Sequence, residues 1–404
     1  MIRPEKEGSA MRASPPNYIL DLLARLEARG YQACLVGGCV RDLLSGRRPN
    51  DWDVATSALP EETMAAFPRT RPTGLRHGTV TVLTRGQSVE VTTFRADGTY
   101  ADHRRPDEVR FLPDVTGDLS RRDFTVNAMA LFRSGKLLDL FGGQEDLKRR
   151  LIRCVGEPDR RFSEDALRML RAFRFSAQLG FCIESETLAA IRRMAPLSAA
   201  LAPERVAAEL EKTLLSPAPE TLADILDTGL LAGPADGHGA VRADFAGLKA
   251  SPKKHRERWC ALTALLLKKG MLQNGTQFLL SLRLDSETVK SAAQGAALAQ
   301  LAPPDSPAAW KRLLFQNGEQ SCRCCAAACD ALYARGYTRA LTRVLESGEA
   351  WQIPQLAIRG GELAALGLRG EQIGQMQRRL LAHVIEHPAD NEKEVLAALA
   401  ESLR

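Results

Sequence analysis

The sequence predicts an α+β protein: a small head in which strands and helices alternate around one sheet, followed by a body of helices alone. Three observations predict it. Strand patterns, including one clear hairpin, fall before residue 156. From Phe162 onward helical patterns fill the chain, broken at Pro196, Pro203, Pro217, Pro219, Pro234, Pro252, Pro303, Pro304, Pro354 and Pro388. Ala and Leu, both strong helix formers, dominate that second half.

The elements follow in order. Asn17 to Arg29 predicts a helix, with Ile19, Leu20, Leu22, Leu23 and Leu26 apolar. The apolar run Ala33 to Val36 predicts a strand ending at Gly37-Gly38, and Cys39 to Leu44 a short amphipathic helix. Asp51-Trp52-Asp53 opens the next strand, and Pro60 to Phe67 predicts another short helix. TVTVLT and SVEVTTF, within Gly78 to Phe94, alternate about a turn at Arg85-Gly86-Gln87 and predict a hairpin. Arg95 to Asp118 is polar and aperiodic, which predicts a long loop. LSRRDFTVNAMALF predicts a capped helix running to Leu131. Leu137 to Leu140 predicts a short strand, Gly142-Gly143 the start of a helix, and Leu151 to Val155 a last strand. SEDALRMLRAFRFSAQLGF, from Ser163 to Phe181, predicts a helix with Ser163 as its N-cap and Glu164 and Asp165 in the first turn.

At 404 residues the chain should hold roughly two to four domains. A net charge of +6 permits nucleic-acid binding without requiring it. Nine cysteines at irregular spacings, with no secretory pattern, predict a reduced, cytoplasmic setting. Cys322, Cys324, Cys325 and Cys329 lie in CRCCAAACDALYARG, which reads as helix, so buried packing is favoured over zinc binding. The polar start, MIRPEKEGSAMRASPP, reads as a frayed tail, and no apolar run approaches the roughly 18 residues of a membrane span.

Several residues carry chemistry. Residues i and i+2 of a strand share a face, so Asp51 and Asp53 would stand side by side. Such a pair is either solvated surface or holds a divalent ion, whose oxygen ligands relieve the repulsion. Gly37-Gly38, at a strand-to-helix turn, would let backbone N–H groups approach a phosphate. Glu90, between Val89 and Val91, faces solvent or a site. Asp165 and Arg168 are spaced to share a helix face. With Arg171 and Arg174 they read, on composition and spacing, as a surface ion pair and arginine stripe.

The whole run LVGGCVRDLLSGRRPNDWDVATSA, Leu35 to Ala58, resembles the N-terminal motif of the DNA polymerase β-like nucleotidyltransferases. More narrowly it resembles the class II tRNA nucleotidyltransferases and their poly(A) polymerase relatives. RRDFTVNAMA (Arg121 to Ala130) is similar to the family's RRDFTxNAMA motif, and Glu164 to Phe181 to its EDxxRxxRAxRFxxxLGF motif. Pro203-Glu204-Arg205 with Glu209-Leu210 resembles its last motif, whose role there is to prop the template helix. The resemblance is strong from 31 to about 215, moderate from Leu356 to Leu381, and weak between.

The resemblance implies a small polymerase β-like head with a mixed sheet and helices (1–155), then an elongated all-helical neck (156–215), body (216–300) and tail (301–404). It implies template-independent addition of C, C and A to the 3′ end of tRNA from CTP and ATP. Asp51 and Asp53 are implied as the catalytic ligands of two Mg2+ ions, with Glu90 as a third acidic residue of the metal centre. Gly37, Gly38, Arg41, Arg122, Asp123, Asn127, Arg171 and Arg174 are implied to bind the nucleotide. Asp165 and Arg168 are implied as a protein template for its base. The base edges agree: a carboxylate accepts from the amino group of cytosine or adenine, and a guanidinium donates to the ring nitrogen. Uracil and guanine present a carbonyl and a ring N–H instead, and are rejected. The stretch with Asp97, Tyr100, Asp102, Arg104, Arg105 and Pro106 resembles the loop that full enzymes need for the final A.

The tRNA would be held by shape and backbone, through Lys253, Lys254, Arg256, Arg258, Arg369, Arg378 and Arg379, with Gly367, Gly370 and Gly374 near a helix start. Alternatives are a poly(A) polymerase, a partial enzyme adding only CC or only A, and a non-catalytic RNA-binding protein. The segment TGLRHGTVTVL lacks the basic, aromatic motif of the poly(A) enzymes, and no His-Asp dipeptide suggests an appended phosphohydrolase. No membrane and no protein partner is implied.

Overall fold

The computed structural model describes residues 14–97, 109–231 and 244–404. The chain divides into two compact units: residues up to Leu201 with Thr228–Leu230, and Ala202–Asp227 with Leu231–Arg404.

The first unit is built on a sheet. Its strands are β1 (Ala33–Val36), β2 (Asp53–Thr56), β3 (Thr70–Gly74), β4 (Thr79–Thr84) and β5 (Gln87–Thr93). A separate antiparallel pair, β6 (Arg95–Asp97) and β7 (Val109–Phe111), precedes β8 (Met129–Phe132) and β9 (Leu137–Asp139). The main sheet runs β3-β4-β5-β2-β1-β8-β9. Only β2 and β5 pair in parallel; the other neighbours are antiparallel. Both faces are buried, and the twofold alternation of a strand decides which residue goes where. Ala33 and Leu35 join Val54, Val89, Val91, Met129 and Leu131 in one core. Cys34 and Val36 join Ala55, Phe94 and Ala130 in the other. Helices α1 (Asn17–Glu27), α2 (Gly38–Leu44) and α3 (Pro60–Ala66) cover the first face with Ile19, Leu22, Val40, Leu43 and Ala66. Helix α4 (Val115–Ser120) covers the second with Val115 and Leu119.

Several features of the sheet region differ from the sequence-based expectations. The helix expected up to Leu131 is absent. After α4 the chain makes one 3-10 turn at Thr125–Asn127 and enters β8, between β1 and β9. Pairing on both edges overrides the intrinsic helical preference of Met, Ala and Leu. The loop expected over Arg95 to Asp118 contributes β6, β7 and the start of α4. The hairpin closes on two residues, Arg85 (φ 45°) and Gly86 (φ 76°), with Gln87 already paired to Thr84; two positive φ values match the right-handed strand twist. Strand β3 carries Pro72 and little apolar surface, as an edge strand can, and so left no strand signal.

Helices α5 (Gly143–Arg149), α6 (Pro158–Glu164), α7 (Leu167–Leu179) and α8 (Ser185–Met194) complete this unit. The strand expected over Leu151 to Val155 shrinks to β10 (Leu151–Ile152), paired in parallel with β11 (Cys182–Ile183) outside the main sheet.

The second unit holds α9 (Pro203–Leu214), α10 (Leu222–Asp227), α11 (His255–Lys268), α12 (Gly275–Ser281), α13 (Ser286–Ala299), α14 (Pro307–Asn317), α15 (Glu319–Tyr333), α16 (Tyr337–Glu346), α17 (Gly360–Ala365), α18 (Glu371–Glu386) and α19 (Lys393–Ser402). Helices α11, α13 and α15 cross closely. A Cβ on Gly295 would lie 2.6 Å from the Cys324 Cβ and 3.0 Å from the Cys260 Sγ, so glycine alone permits the approach. Cys322, Cys324, Cys325 and Cys329 are all buried there, and the Cys260 thiol donates to the Cys324 carbonyl. All nine cysteines are free thiols; eight are buried, and Cys182 is exposed. Among the described residues no helix is long and apolar enough to cross a membrane.

Candidate active site

The site begins where β1 ends. Gly37 turns the chain into α2 with φ +76°, a conformation that favours glycine. It also has no room for a side chain: a Cβ would sit 3.0 Å from an Arg122 Nη and 3.4 Å from an Asp53 Oδ. Gly38 opens α2 beside the Arg41 guanidinium.

Asp53 is the first residue of β2 and pairs in register with Glu90 of β5. Both lie opposite the face that buries Val54, Val89 and Val91. Asp51 sits in the bend before the strand, exposed, so the expectation that both aspartates belong to one strand is corrected: the strand starts at Asp53. Burial raises the Asp53 carboxyl above its ordinary value; Glu90 and Asp51 add to the rise, and the Arg122 guanidinium opposes it. An acidic group already destabilised by two like charges gains from a cation.

Arg122 is fixed from behind. Asp118, on the buried face of α4, accepts from Arg121 at 2.7 Å and from Arg122 at 3.0 Å. Burial would raise the Asp118 carboxyl, but Arg122 and Arg121 hold it below its usual range. The Arg122 Nε is buried and has no hydrogen-bond partner among the described residues. The Nη1 of the same guanidinium lies beside the Gly37 turn, and a cationic group there suits an anionic ligand.

A second set of residues forms one continuous network. Arg171 of α7 donates to one Asp123 oxygen from Nε at 2.8 Å and from Nη2 at 2.5 Å. The other Asp123 oxygen accepts from the Phe124 N–H and the Asn127 amide. Asn127 in turn accepts from Arg41 at 2.7 Å, and Arg41 also binds Asp42. Burial would raise the Asp123 carboxyl, yet Arg171 and the Phe124 N–H bring it down to about 2. Arg41, Asp123, Asn127 and Arg171 are thus gathered into one hydrogen-bonded network.

The helix expected from Ser163 to Phe181 is broken. Helix α6 ends at Glu164, Asp165 is extended (φ −146°, ψ 102°), and α7 begins at Leu167. Ser163 is therefore no N-cap; its hydroxyl donates to the Arg160 carbonyl in the last turn of α6. Asp165 instead closes α6, and its carboxylate accepts from the N–H of Leu167, the first residue of α7. The side chains of Asp165 and Arg168 come from two sides of this break, not from one helical face. Arg168 donates to Glu164 at 2.6 Å and to the carbonyls of Arg161 and Arg121. Glu164 also accepts from Arg161 at 2.6 Å. Arg174 donates to Gln178. Sequence reasoning missed Asp118, Arg161 and Glu164 as organisers of the site. The signal was spacing alone: Asp118 stands three and four residues before Arg121 and Arg122, and Glu164 stands three after Arg161 and four before Arg168.

In the second unit Lys253, Lys254, Arg369, Arg378 and Arg379 are exposed. Arg379 donates to the Leu403 carbonyl, and Arg256 lies 3.7 Å from Glu287. Arg258 does not join them as a surface cation: it is buried, donates to the Pro252 carbonyl, and desolvation lowers its pKa. Gly370 caps α18, and Gly374 lies within it. Tyr100, Asp102, Arg104, Arg105 and Pro106 lie outside the described residues.

No three His, Cys, Asp or Glu side chains converge on one point among the described residues, so no closed protein cage for an ion is formed. The donors present still fit magnesium, which is commonly held by one or two carboxylates and completed by water and substrate phosphate.

This head, with a carboxylate corner beside an arginine-lined network, defines a nucleotidyltransferase, and the model of the poly A polymerase head domain matches residues 33–153. A second model, described as a probable RNA and SrmB-binding site of polymerase A, matches residues 180–233. The CCA-adding enzyme of Geobacillus thermodenitrificans is 46% identical over 300 residues, 73% of each chain. That of Levilactobacillus brevis is 38% identical over 388 residues, 93% of this chain and 95% of its own. The crystal structure of the Bacillus stearothermophilus CCA-adding enzyme in complex with CTP superposes with a TM-score of 0.79 at 34% identity, covering 96% of each chain. The chain belongs to the CCA-adding enzymes. Membership of the nucleotidyltransferases implies dependence on a divalent metal.

Proposed function

We propose that the protein adds C, C and A in turn to the 3′ end of tRNA without a nucleic-acid template, consuming CTP and ATP and releasing pyrophosphate. One observation carries this: the head joins the Asp51, Asp53 and Glu90 corner to the Arg41–Asn127–Asp123–Arg171 network, which ends on helix α7. Relatives that adopt this fold along nearly the whole chain are CCA-adding enzymes.

Asp51 and Asp53 are read as the ligands of two Mg2+ ions, with Glu90 as a third carboxylate. The chemistry two such ions supply when bound is a tRNA 3′-hydroxyl of lowered pKa and a neutralised pyrophosphate leaving group. Arg122 and Arg41 offset triphosphate charge, and the amides after Gly37 and Gly38 approach it. Asp123 and Asn127 hold the ribose and triphosphate with Arg171 and Arg174 behind them. Asp165 and Arg168 read the base edge, with Glu164 orienting the Arg168 guanidinium before a base arrives. The proposed division is a head (1–155), neck (156–215), body (216–300) and tail (301–404). Lys253, Lys254, Arg369, Arg378 and Arg379 form the tRNA surface. The buried free thiols suit a reducing cytoplasm.

The test is to incubate the protein with tRNA lacking its 3′ end, CTP, ATP and Mg2+, and to size and sequence the products. Three added nucleotides in the order C, C, A support the proposal. A long A tract would identify a poly(A) polymerase, one or two nucleotides a partial enzyme, and no incorporation an RNA-binding protein.

A further inference from the structure

We propose that Phe175 is a positioning residue for the nucleotide site: its ring holds the guanidinium groups of Arg41 and Arg171 in place. The ring lies on α7, 7% exposed, where three arginines meet it. The Arg174 guanidinium carbon is 3.9 Å from the ring centroid, that of Arg171 is 5.4 Å away, and that of Arg41, from α2, is 5.6 Å away. The ring is itself fixed edge-on against Phe124, with centroids 5.8 Å apart and planes at 81°. Phe124 directly follows Asp123, so one aromatic pair ties together α2, the Asp123–Asn127 segment and α7.

Three cations close to one another repel, and two neighbouring carboxylates, Asp42 and Asp123, bind two of them. An aromatic ring adds what an aliphatic side chain of similar volume cannot: negative charge density on its faces, which attracts guanidinium groups within about 6 Å. Arginine side chains are also costly to immobilise, and a rigid ring that orders them beforehand removes that cost from nucleotide binding. An ordinary core phenylalanine is surrounded by apolar side chains. This one has a guanidinium on three of its approaches, two of them in the hydrogen-bonded network that reaches Asn127.

The inference rests on the reading of Arg41 and Arg171 as nucleotide ligands, and the experiment separates the two. Equilibrium binding of CTP and of ATP to the full chain would be measured for Phe175→Leu, Phe175→Tyr and Arg171→Gln, with thermal melts and steady-state kinetics. Phe175→Leu is expected to weaken both nucleotides about 10-fold and raise KM alike, with kcat little changed. Phe175→Tyr, which keeps the ring, restores binding to within about 3-fold of the parent. If Phe175→Leu fails to fold, Phe175→Met is read in its place. Unchanged binding in the folded aliphatic variant, or equal loss in the tyrosine variant, overturns the role of the ring. Unchanged binding in Arg171→Gln overturns the reading of the site, and the inference with it.

Discussion

Asp53, the first residue of β2, stands directly across from Glu90 of β5 in parallel register. This is the only parallel pairing in the seven-stranded sheet. It brings together two carboxylates separated in sequence by α3, the edge strand β3 and β4, on the face away from the valine core.

The pair sets the first prediction. Asp53→Ala and Asp51→Ala should each lower both C and A addition by about 1,000-fold or more, because each removes a proposed metal ligand worth several kcal/mol of transition-state stabilisation. Binding of tRNA, measured by filter retention, should be retained. Turnover equal to that of the parent in either variant would remove the metal assignment.

Base choice gives the second. Asp165→Ala and Arg168→Ala should cut the preference for CTP and ATP over UTP and GTP by about 100-fold, since the hydrogen-bond pattern that rejects the wrong bases is gone. Competition assays with all four nucleotides would read this. Strict rejection of UTP and GTP by both variants would show that the base is read elsewhere.

Asp123 supplies a pH dependence. Its carboxyl is held at about 2 against an ordinary 3.8. A carboxyl depressed in the folded state contributes stability in full above its unfolded pKa and loses it as pH falls through the folded one. The difference corresponds to about 2 kcal/mol. Asp123→Asn should therefore melt earlier than the parent at pH 7, and the gap should narrow only below about pH 4. A gap independent of pH down to 3 would mean that the ion pair with Arg171 contributes little.

The tRNA surface is tested by salt. Neutralising Arg369 or Arg378, both exposed, should weaken tRNA binding and reduce the slope of log K against log salt by about 1 for each phosphate no longer neutralised. A slope unchanged in both variants would place the RNA elsewhere on the second unit.

The sequence made the hairpin, β1, the Gly37 turn and the helical second unit legible, because each rests on a local signal: alternation, glycine, or Ala and Leu content. What it concealed depends on distant partners. Met129–Phe132 is a strand because β1 and β9 flank it, and nothing local opposes a helix there. The break at Asp165 was hidden because SEDALRML reads as a capped helix start, one residue pattern serving either an opening or a junction. Arg258 carries the same charge as Lys253 and Lys254, and only its burial under the Ser251–Lys254 turn sets it apart. At the site, motif spacing marked the groups proposed to bind the nucleotide. The groups behind them, Asp118 and Glu164, became visible only with their arginines in place.

The distribution of thiols has a practical consequence. With eight sulfhydryls enclosed and Cys182 at the surface beside β10, a maleimide dye offered to the native molecule meets one accessible attachment point. The chain therefore carries a built-in labelling handle on the first unit, and fluorescence work needs no cysteine-free background.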